Sequence, residues 1–325
     1  MVLSTSRANQ NGPRRLEVHA ALLVVQLAFA SQAVESKVAM MSREAGGEAI
    51  RPEALAMARM LGGALFFQAI ARVLGKDPDH EPIAWRVQWK LAGLSVLGIA
   101  LNQALFLMGL RLTTPFAVSL LGATIPVVTA GLAVVARQDQ LRRRTVLGLS
   151  LSITGVLTLT GLGTIDKGAV LVAMNSVAYS AYIVLSRAIV KRHGALPVVT
   201  WIFTWAALIF APFGGPSLAA TLPSLTLRGS LYLAYIVVVP TIIAYSFNAW
   251  ALARSTATLV TVYIYLQPVI TALIAWVQLG QGVTGRTLLA GVLILIGVTV
   301  AARAGGGATS TATAVSPGGD AQRER

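Results

Sequence analysis

Residues 113–135, TTPFAVSLLGATIPVVTAGLAVV, and residues 255–277, STATLVTVYIYLQPVITALIAWV, decide how this chain is built. Each is an apolar run long enough to cross the roughly 30 Å hydrocarbon core of a bilayer, and each carries a proline at the same place, Pro126 and Pro268. The match extends further: residues 113–157 align without a gap on 255–299, at a constant offset of 142, with 14 of the 45 pairs identical. Among the identities are Thr114/Thr256, Thr129/Thr271, Arg144/Arg286 and Gly155/Gly297. Two Leu-, Val- and Ala-rich helices share residues through composition alone. A proline and a glycine at one fixed separation, with Arg-Thr opening the next helix, point instead to an internal duplication.

The rest of the chain is made of the same material. Of its 325 residues, 55% are hydrophobic and 12% charged, against about 25% charged in a soluble domain, and the mean hydropathy is +0.72. That leaves too little polar surface to coat a soluble globule. Apolar runs recur along the chain and place helices near 18–40, 54–74, 90–110, 114–136, 146–162, 168–190, 198–213, 229–252, 257–279 and 287–302. Gly, Pro and charge mark the breaks, as at Gly75-Lys76-Asp77-Pro78 and Gly214-Gly215-Pro216. Residues 1–17 read as a cytoplasmic segment, 18–162 as a first five-helix repeat and 168–303 as a second. Residues 304–325, Gly/Ala/Ser/Thr-rich and then charged, read as a disordered cytoplasmic tail. Arg14-Arg15, an apolar run and Ala28-Phe29-Ala30 have the outline of a cleavable signal peptide. Because the apolar segment continues to Met41 and has a counterpart in the second half, it reads better as a retained helix.

A net charge of +14 in a soluble protein would suggest nucleic acid. Here the cations sit between apolar runs and act as topology signals, so no nucleic-acid partner is expected. With the N-terminus inside, 18 Lys/Arg fall in cytoplasmic segments and six in external ones, leaving only Lys37 and Arg59 within helices. That threefold asymmetry supports ten spans and a multi-pass protein of the inner cell membrane with both termini cytoplasmic. Five spans per repeat is an odd number, so the two halves lie in opposite orientations. The expected fold class is all-α integral membrane, ten transmembrane helices as two inverted five-helix repeats. Such symmetry suits a carrier with two nearly equivalent states and a substrate held near the midplane.

The sequence resembles the EamA-type branch of the drug/metabolite transporter superfamily. The likeness is carried by Ser36-Lys37-Val38-Ala39, by Asn102-Gln103-Ala104-Leu105-Phe106-Leu107-Met108-Gly109-Leu110, by Thr113-Thr114 leading to Pro126, and by its repeat Ser255-Thr256 leading to Pro268. It covers roughly residues 18–303 and implies a ten-helix carrier with a central cavity lined mainly by helices 1, 3, 4, 6, 8 and 9. Many relatives carry Gly-Glu just after helices 4 and 9. This chain has Gln138-Asp139 and Gly280-Gln281 instead, which puts any latch role of that glutamate in doubt.

Glu35 is the one acidic residue expected within a span, and Arg59 falls at a similar depth, about 7–8 Å below the outer boundary at 1.5 Å per residue. Embedded charges are costly and are usually paired or functional. Glu35 is thus a candidate proton or substrate-ammonium site and Arg59 a counter-ion or carboxylate binder; a structural ion pair or snorkelling is the competing reading. Lys37, nearer the helix end, is expected to snorkel. Further candidates for a cavity wall are Gln26, Gln32, Asn102, Gln103, Thr124, Asn175, Tyr179, Tyr182, Tyr245, Asn248, Tyr263, Tyr265 and Gln267. Some of these amides will be helix–helix hydrogen bonds with no ligand role. Trp201 and Trp205 are expected to face lipid or to pack. Pro126 and Pro268 are candidate gate hinges, with static kinks as the alternative.

With three His, no Cys and a single embedded carboxylate, the chain lacks the side chains for a metal cluster or a nucleophilic or paired-carboxylate site, so no enzyme, metal or cofactor is expected. No filter-like Gly repeat or ring of like charge suggests a channel, although a channel or facilitator stays as the alternative. No Gly-Lys-Ser/Thr phosphate loop is present. The expectation is therefore a secondary transporter exporting small metabolites, amino acids or related amphipathic compounds, with protons as a candidate coupling ion and the lipid bilayer as its solvent.

Overall fold

A computed structural model describes residues 12–75, 81–138, 143–160, 166–252 and 263–305. Every regular element among them is helical. The main helices are α1 (Gly12–Met40), α2 (Pro52–Leu74), α3 (Trp85–Ser95 and Leu101–Leu112), α4 (Pro115–Gly122 and Ile125–Val135) and α5 (Arg143–Thr160) in the first half. The second half has α6 (Lys167–His193), α7 (Ala195–Thr221), α8 (Leu227–Val237 and Ala244–Leu252), α9 (Gln267–Leu279) and α10 (Gly285–Gly305). Seven of these are long and apolar enough to cross a membrane, and three more, Val146–Leu159, Gln267–Leu279 and Gly285–Gly297, are apolar but shorter. The chain is a multi-pass membrane protein. The expected start of the ninth helix and most of the C-terminal tail lie outside the described residues, although Ala304 and Gly305 continue α10 rather than beginning a tail.

Helix starts follow local chemistry. Thr114, Asp166 and Thr226 are N-caps whose side-chain oxygens accept from the backbone N–H three residues on, satisfying donors the helix itself leaves free. Pro52 and Pro115 occupy first turns, where their missing N–H costs nothing. Gly280 closes α9 at φ 62°, a left-handed conformation that suits glycine.

The helices break in matched pairs. A turn at Ala123–Thr124 interrupts α4 just before Pro126, and a turn at Tyr265–Leu266 precedes α9 just before Pro268. The offset is again 142. Proline removes an N–H and clashes with the carbonyl four residues back. Around the first break, Ser176 donates to the Leu121 carbonyl at 3.1 Å and Ser180 to the Ile125 carbonyl at 3.2 Å. A second pair goes beyond the sequence expectations: π-helical turns span Val96–Ala100 in α3 and Val238–Ile243 in α8, their starts also 142 apart. In α8 the cause is visible. Pro240 cannot donate to Ile236, and Thr241 Oγ1 donates to that carbonyl instead, at 3.2 Å.

Packing repeats with the same exchange. α3 packs on α6 as α8 packs on α1, α4 on α6 as α9 on α1, and α2 pairs with α7. The most extensive seam joins α5 to α10. A Cβ on Gly155 would lie 2.9 Å from the Ala290 carbonyl oxygen and 2.7 Å from Ile294 Cγ1. One on Gly297 would lie 2.6 Å from the Gly148 carbonyl oxygen and 2.5 Å from Ser152 Oγ. Residue numbers rise on α5 as they fall on α10, so the pair is antiparallel. Small residues here let the backbones touch, which is how helices adhere where lipid provides no hydrophobic drive. The fully buried centre is apolar, with Phe203, Leu107, Leu120, Leu121, Met60 and Ile236 within it.

Two polar clasps tie the halves at opposite ends of α2, which is roughly 34 Å long at 1.5 Å per residue. At the α1–α2 end, Arg43 Nη2 donates to the Ser224 carbonyl at 2.7 Å. Beside it, buried Glu48 accepts from Thr226 Oγ1 at 2.6 Å and faces Arg228 Nε at 3.9 Å. At the α2–α3 end, Arg192 Nε donates to Glu81 Oε2 at 2.7 Å, Glu81 N donates to the Arg192 carbonyl at 3.2 Å, and the His193 ring meets the Glu81 carbonyl at 2.8 Å.

Candidate functional site

Arg59 lies seven residues into α2, roughly 10 Å along the helix from its start, and is 2% exposed. Its Nε donates to Thr241 Oγ1 at 2.9 Å and its Nη2 to Gln32 Oε1 at 3.2 Å. Thr241 is itself held by its bond to the Ile236 carbonyl, so the π turn of α8 aims a hydroxyl lone pair at the guanidinium. Both acceptors are neutral. Burying an ion costs several kcal/mol even after relaxation, and hydrogen bonds involving a charged group return about 1.5–3 kcal/mol each. Two such bonds hold the side chain in place but leave its charge unneutralised. These bonds use two of the five N–H donors of the guanidinium.

Glu35 does not pair with Arg59. It is half-buried and accepts from Gln278 Nε2 at 2.9 Å. The two charges have different neighbours, Gln32 and Thr241 for Arg59 and Gln278 for Glu35. Glu35 instead ends a polar seam joining α1 to the parallel α9. His19 Nδ1 meets Tyr263 Oη at 2.6 Å, Gln267 Nε2 donates to Gln26 Oε1 at 2.6 Å, and Thr271 Oγ1 donates to the Ala30 carbonyl at 3.2 Å.

The aromatic candidates form ring contacts of their own. Tyr245 lies one turn from Thr241 on α8, and Phe29 one turn from Gln32 on α1. The rings of Tyr179 and Tyr182 lie 5.7 Å apart. Tyr245 stands edge-on to Phe29 at 5.9 Å and to Phe203 at 5.4 Å. Gly98 in the π turn of α3 gives Tyr182 its room, since a Cβ there would fall 2.6 Å from the ring. Residues from α1 and α8 thus hold one buried cation of α2.

The other candidates spread along neighbouring seams. Asn175 Nδ2 donates to the Asn102 backbone carbonyl at 2.6 Å, tying α6 to α3. Gln103 is buried with its Oε1 unpartnered. Thr124 Oγ1 donates to the Leu121 carbonyl at 2.6 Å, and Asn248 is half-buried a turn beyond Tyr245. Lys37 does not snorkel: its Nζ donates to the carbonyls of Leu110, Arg111 and Thr113, each at 2.9 Å, closing the C-terminus of α3. Trp205 packs, stacking on Trp89 at 6.1 Å and donating to Gln88 Oε1 at 2.8 Å. An apolar groove of about 320 Å³ between α2 and α8 is lined by Ala58, Leu225, Leu233 and Val237. None of the polar candidates lines it, so it is set apart from this chemistry.

The described residues form a multi-pass helical membrane bundle with two matched sets of helix breaks and a buried arginine. The sequence model of the EamA-like transporter family matches twice, over residues 20–161 and 166–303, and the chain belongs to that family. The uncharacterized transporter YdfC of Bacillus subtilis is 27% identical over 264 residues, 78% of this chain and 83% of its own. A probable amino-acid metabolite efflux pump of Salmonella typhimurium is 27% identical over 186 residues, 53% of this chain and 62% of its own. A solved crystal structure, 19% identical, matches with a TM-score of 0.54 over 89% of this chain and 96% of its own, a likeness of fold alone.

Proposed function

We propose that this transporter exports small metabolites, amino acids or related amphipathic compounds, by alternating access between two inverted five-helix repeats. The proposal takes ten spans, an inner-membrane location and both termini in the cytoplasm. The observation that carries it is the antiparallel α5–α10 seam, where Gly155 meets residues 290 and 294 while Gly297 meets residues 148 and 152. This reciprocal exchange at the 142-residue offset is what a two-fold axis perpendicular to the helices produces, and such an axis inverts one half relative to the other. The matched breaks in α4 and α9 and the matched π turns support the same relation. A clasp at each end supplies two places to open in turn. The amino-acid substrate class rests on the name of the Salmonella relative.

The cavity is assigned to Gln32, Arg59, Asn102, Gln103, Thr124, Asn175, Tyr179, Tyr182, Tyr245 and Asn248. Tyr263, Gln267 and Glu35 border it along the α1–α9 seam, and Pro126 and Pro268 serve as hinges. Proton coupling is assigned to Glu35, whose carboxylate meets an uncharged amide rather than a cation among the described residues. The test is counterflow of labelled amino acids in proteoliposomes, in wild type and in Glu35→Gln. Wild type should show saturable exchange, and Glu35→Gln should lose the response to an imposed pH gradient. Normal pH-driven flux in that variant would remove Glu35 from the mechanism; no flux of any amino acid in wild type would overturn the substrate class.

A further inference from the structure

We infer that Arg59 is an anion anchor, and that the transported molecule carries a carboxylate or a similar small oxyanion that docks on its guanidinium. The inference rests on the transport reading above and narrows it from amphipathic solutes to anionic or zwitterionic ones.

Three features of the site combine. First, the guanidinium is 2% exposed, and no carboxylate lies within 4.0 Å of it among the described residues. A structural arginine at such depth is ordinarily paired. Second, its position is fixed from two sides by neutral acceptors, Thr241 Oγ1 on α8 and Gln32 Oε1 on α1, which take two of its five N–H donors. A fixed planar fork with open donors is the geometry that recognises a carboxylate. Third, Glu35, the carboxylate three residues from Gln32 on α1, is engaged with Gln278. The neighbouring surface suits the remainder of an amphipathic solute: Tyr245 with Phe29 and Phe203 edge-on offers an aromatic wall beside the charge.

The choice of glutamine at position 32 is informative. A glutamate in the same place would put a carboxylate about where Oε1 now stands, 3.2 Å from Nη2, and would satisfy the arginine internally. The neutral amide orients the cation without quenching it. Gln32→Glu is therefore a variant expected to fold, with a paired arginine, while losing the anion site.

The full-length protein in detergent micelles, at fixed ionic strength, is titrated with N-acetyl-L-leucine and, separately, with the neutral N-acetyl-L-leucinamide, following thermal unfolding by intrinsic fluorescence. Wild type should show a saturable rise in Tm with the carboxylate and a response to the amide weaker by about tenfold or more. Arg59→Gln and Gln32→Glu should lose the carboxylate response, with Gln32→Glu no less stable than wild type in the absence of probe. Equal responses to acid and amide, or a wild-type response in Gln32→Glu, would overturn the anchor. So would chloride saturating the site as effectively as the carboxylate, since the site would then hold an inorganic counter-ion. Proteoliposomes separate this from the transport reading. Carboxylate binding without flux supports the anchor and counts against transport. Flux that fails to prefer an amino acid over its amide leaves transport standing and removes the anchor.

Discussion

Gly155→Ala and Gly297→Ala should destabilise the protein, each by about 1–3 kcal/mol, the usual cost of forcing a methyl into a well-packed contact. The contacts explain why the structure has little room to yield. The Cβ added at position 155 would sit 2.9 Å from the Ala290 carbonyl oxygen and 3.0 Å from the Ile294 backbone nitrogen. The one added at position 297 would sit 2.6 Å from the Gly148 carbonyl oxygen and 2.7 Å from the Ser152 nitrogen. Ordinary carbon–heavy-atom contact begins nearer about 3.5 Å. Backbone atoms cannot swing aside as a side-chain end can, so α5 and α10 must separate by several tenths of an ångström along their length. Opposing this is the helix propensity gained on replacing glycine, about 1 kcal/mol. Gly93 in α3 isolates that gain: it is exposed, and a Cβ there meets nothing within 4 Å. Gly93→Ala should therefore be neutral or stabilising by up to about 1 kcal/mol. The assay is unfolding of purified protein in mixed micelles under increasing SDS. Equal stability of Gly155→Ala and Gly93→Ala, or a cost at Gly155 with none at Gly297, would refute the reciprocal backbone contact.

Lys37→Met should cost about 1–2 kcal/mol, because three carbonyls at the C-terminus of α3 lose a cation that also complements the helix dipole. Lys167→Met, which removes an exposed cation from the N-terminus of α6, should be neutral or slightly stabilising in the same SDS titration; identical effects would contradict the capping role. The Glu81 clasp should depend on pH with a definite sign. The Arg192 hydrogen bond holds the Glu81 carboxyl below the usual carboxylate range, so its contribution is complete above the ordinary glutamate pKa and fades as pH falls through the lowered value. Hydrogen-exchange protection near residues 81–84 and 192–194, taken relative to the intrinsic rate at each pH, should fall in that acid window more in wild type than in Glu81→Gln, and unchanged protection in wild type would contradict the clasp.

The helices and the duplication were legible because apolar length and proline position are linear properties of the chain. The break expected at Gly214-Gly215-Pro216, however, lies inside α7, which runs on to Thr221. Arg59 shows where that legibility stops. Counting residues from a helix end fixes an approximate height in the bundle, which put Glu35 and Arg59 forward as a candidate pair. It is silent on azimuth, which sent Arg59 to Gln32 and Thr241 and sent Glu35 to Gln278. The snorkelling expected of Lys37 fails for a related reason. Its reach to three carbonyls depends on α3 ending beside α1, a tertiary fact that no local pattern encodes. The π turn of α8 had one sequence signal, Pro240 followed by Thr241, a residue able to serve the carbonyl that proline abandons. Its partner in α3 contains no proline, and the 142-residue offset was the only available clue. The α1–α9 seam was half visible, since its glutamines and tyrosine stand out by type, but as cavity wall rather than as partners of one another.

Alternating access is tested most directly by fastening one clasp at a time. The chain contains no cysteine, so introduced thiols are unambiguous. The backbones of Glu81 and Arg192 are hydrogen-bonded at 3.2 Å, close enough for Glu81→Cys and Arg192→Cys to form a disulfide; Arg43→Cys and Ser224→Cys serve the other end with a bis-thiosulfonate spacer. In proteoliposomes carrying out amino-acid counterflow, either cross-link alone should abolish flux, and reduction should restore it. Undiminished flux with one end covalently shut would contradict a mechanism in which the two ends open in turn.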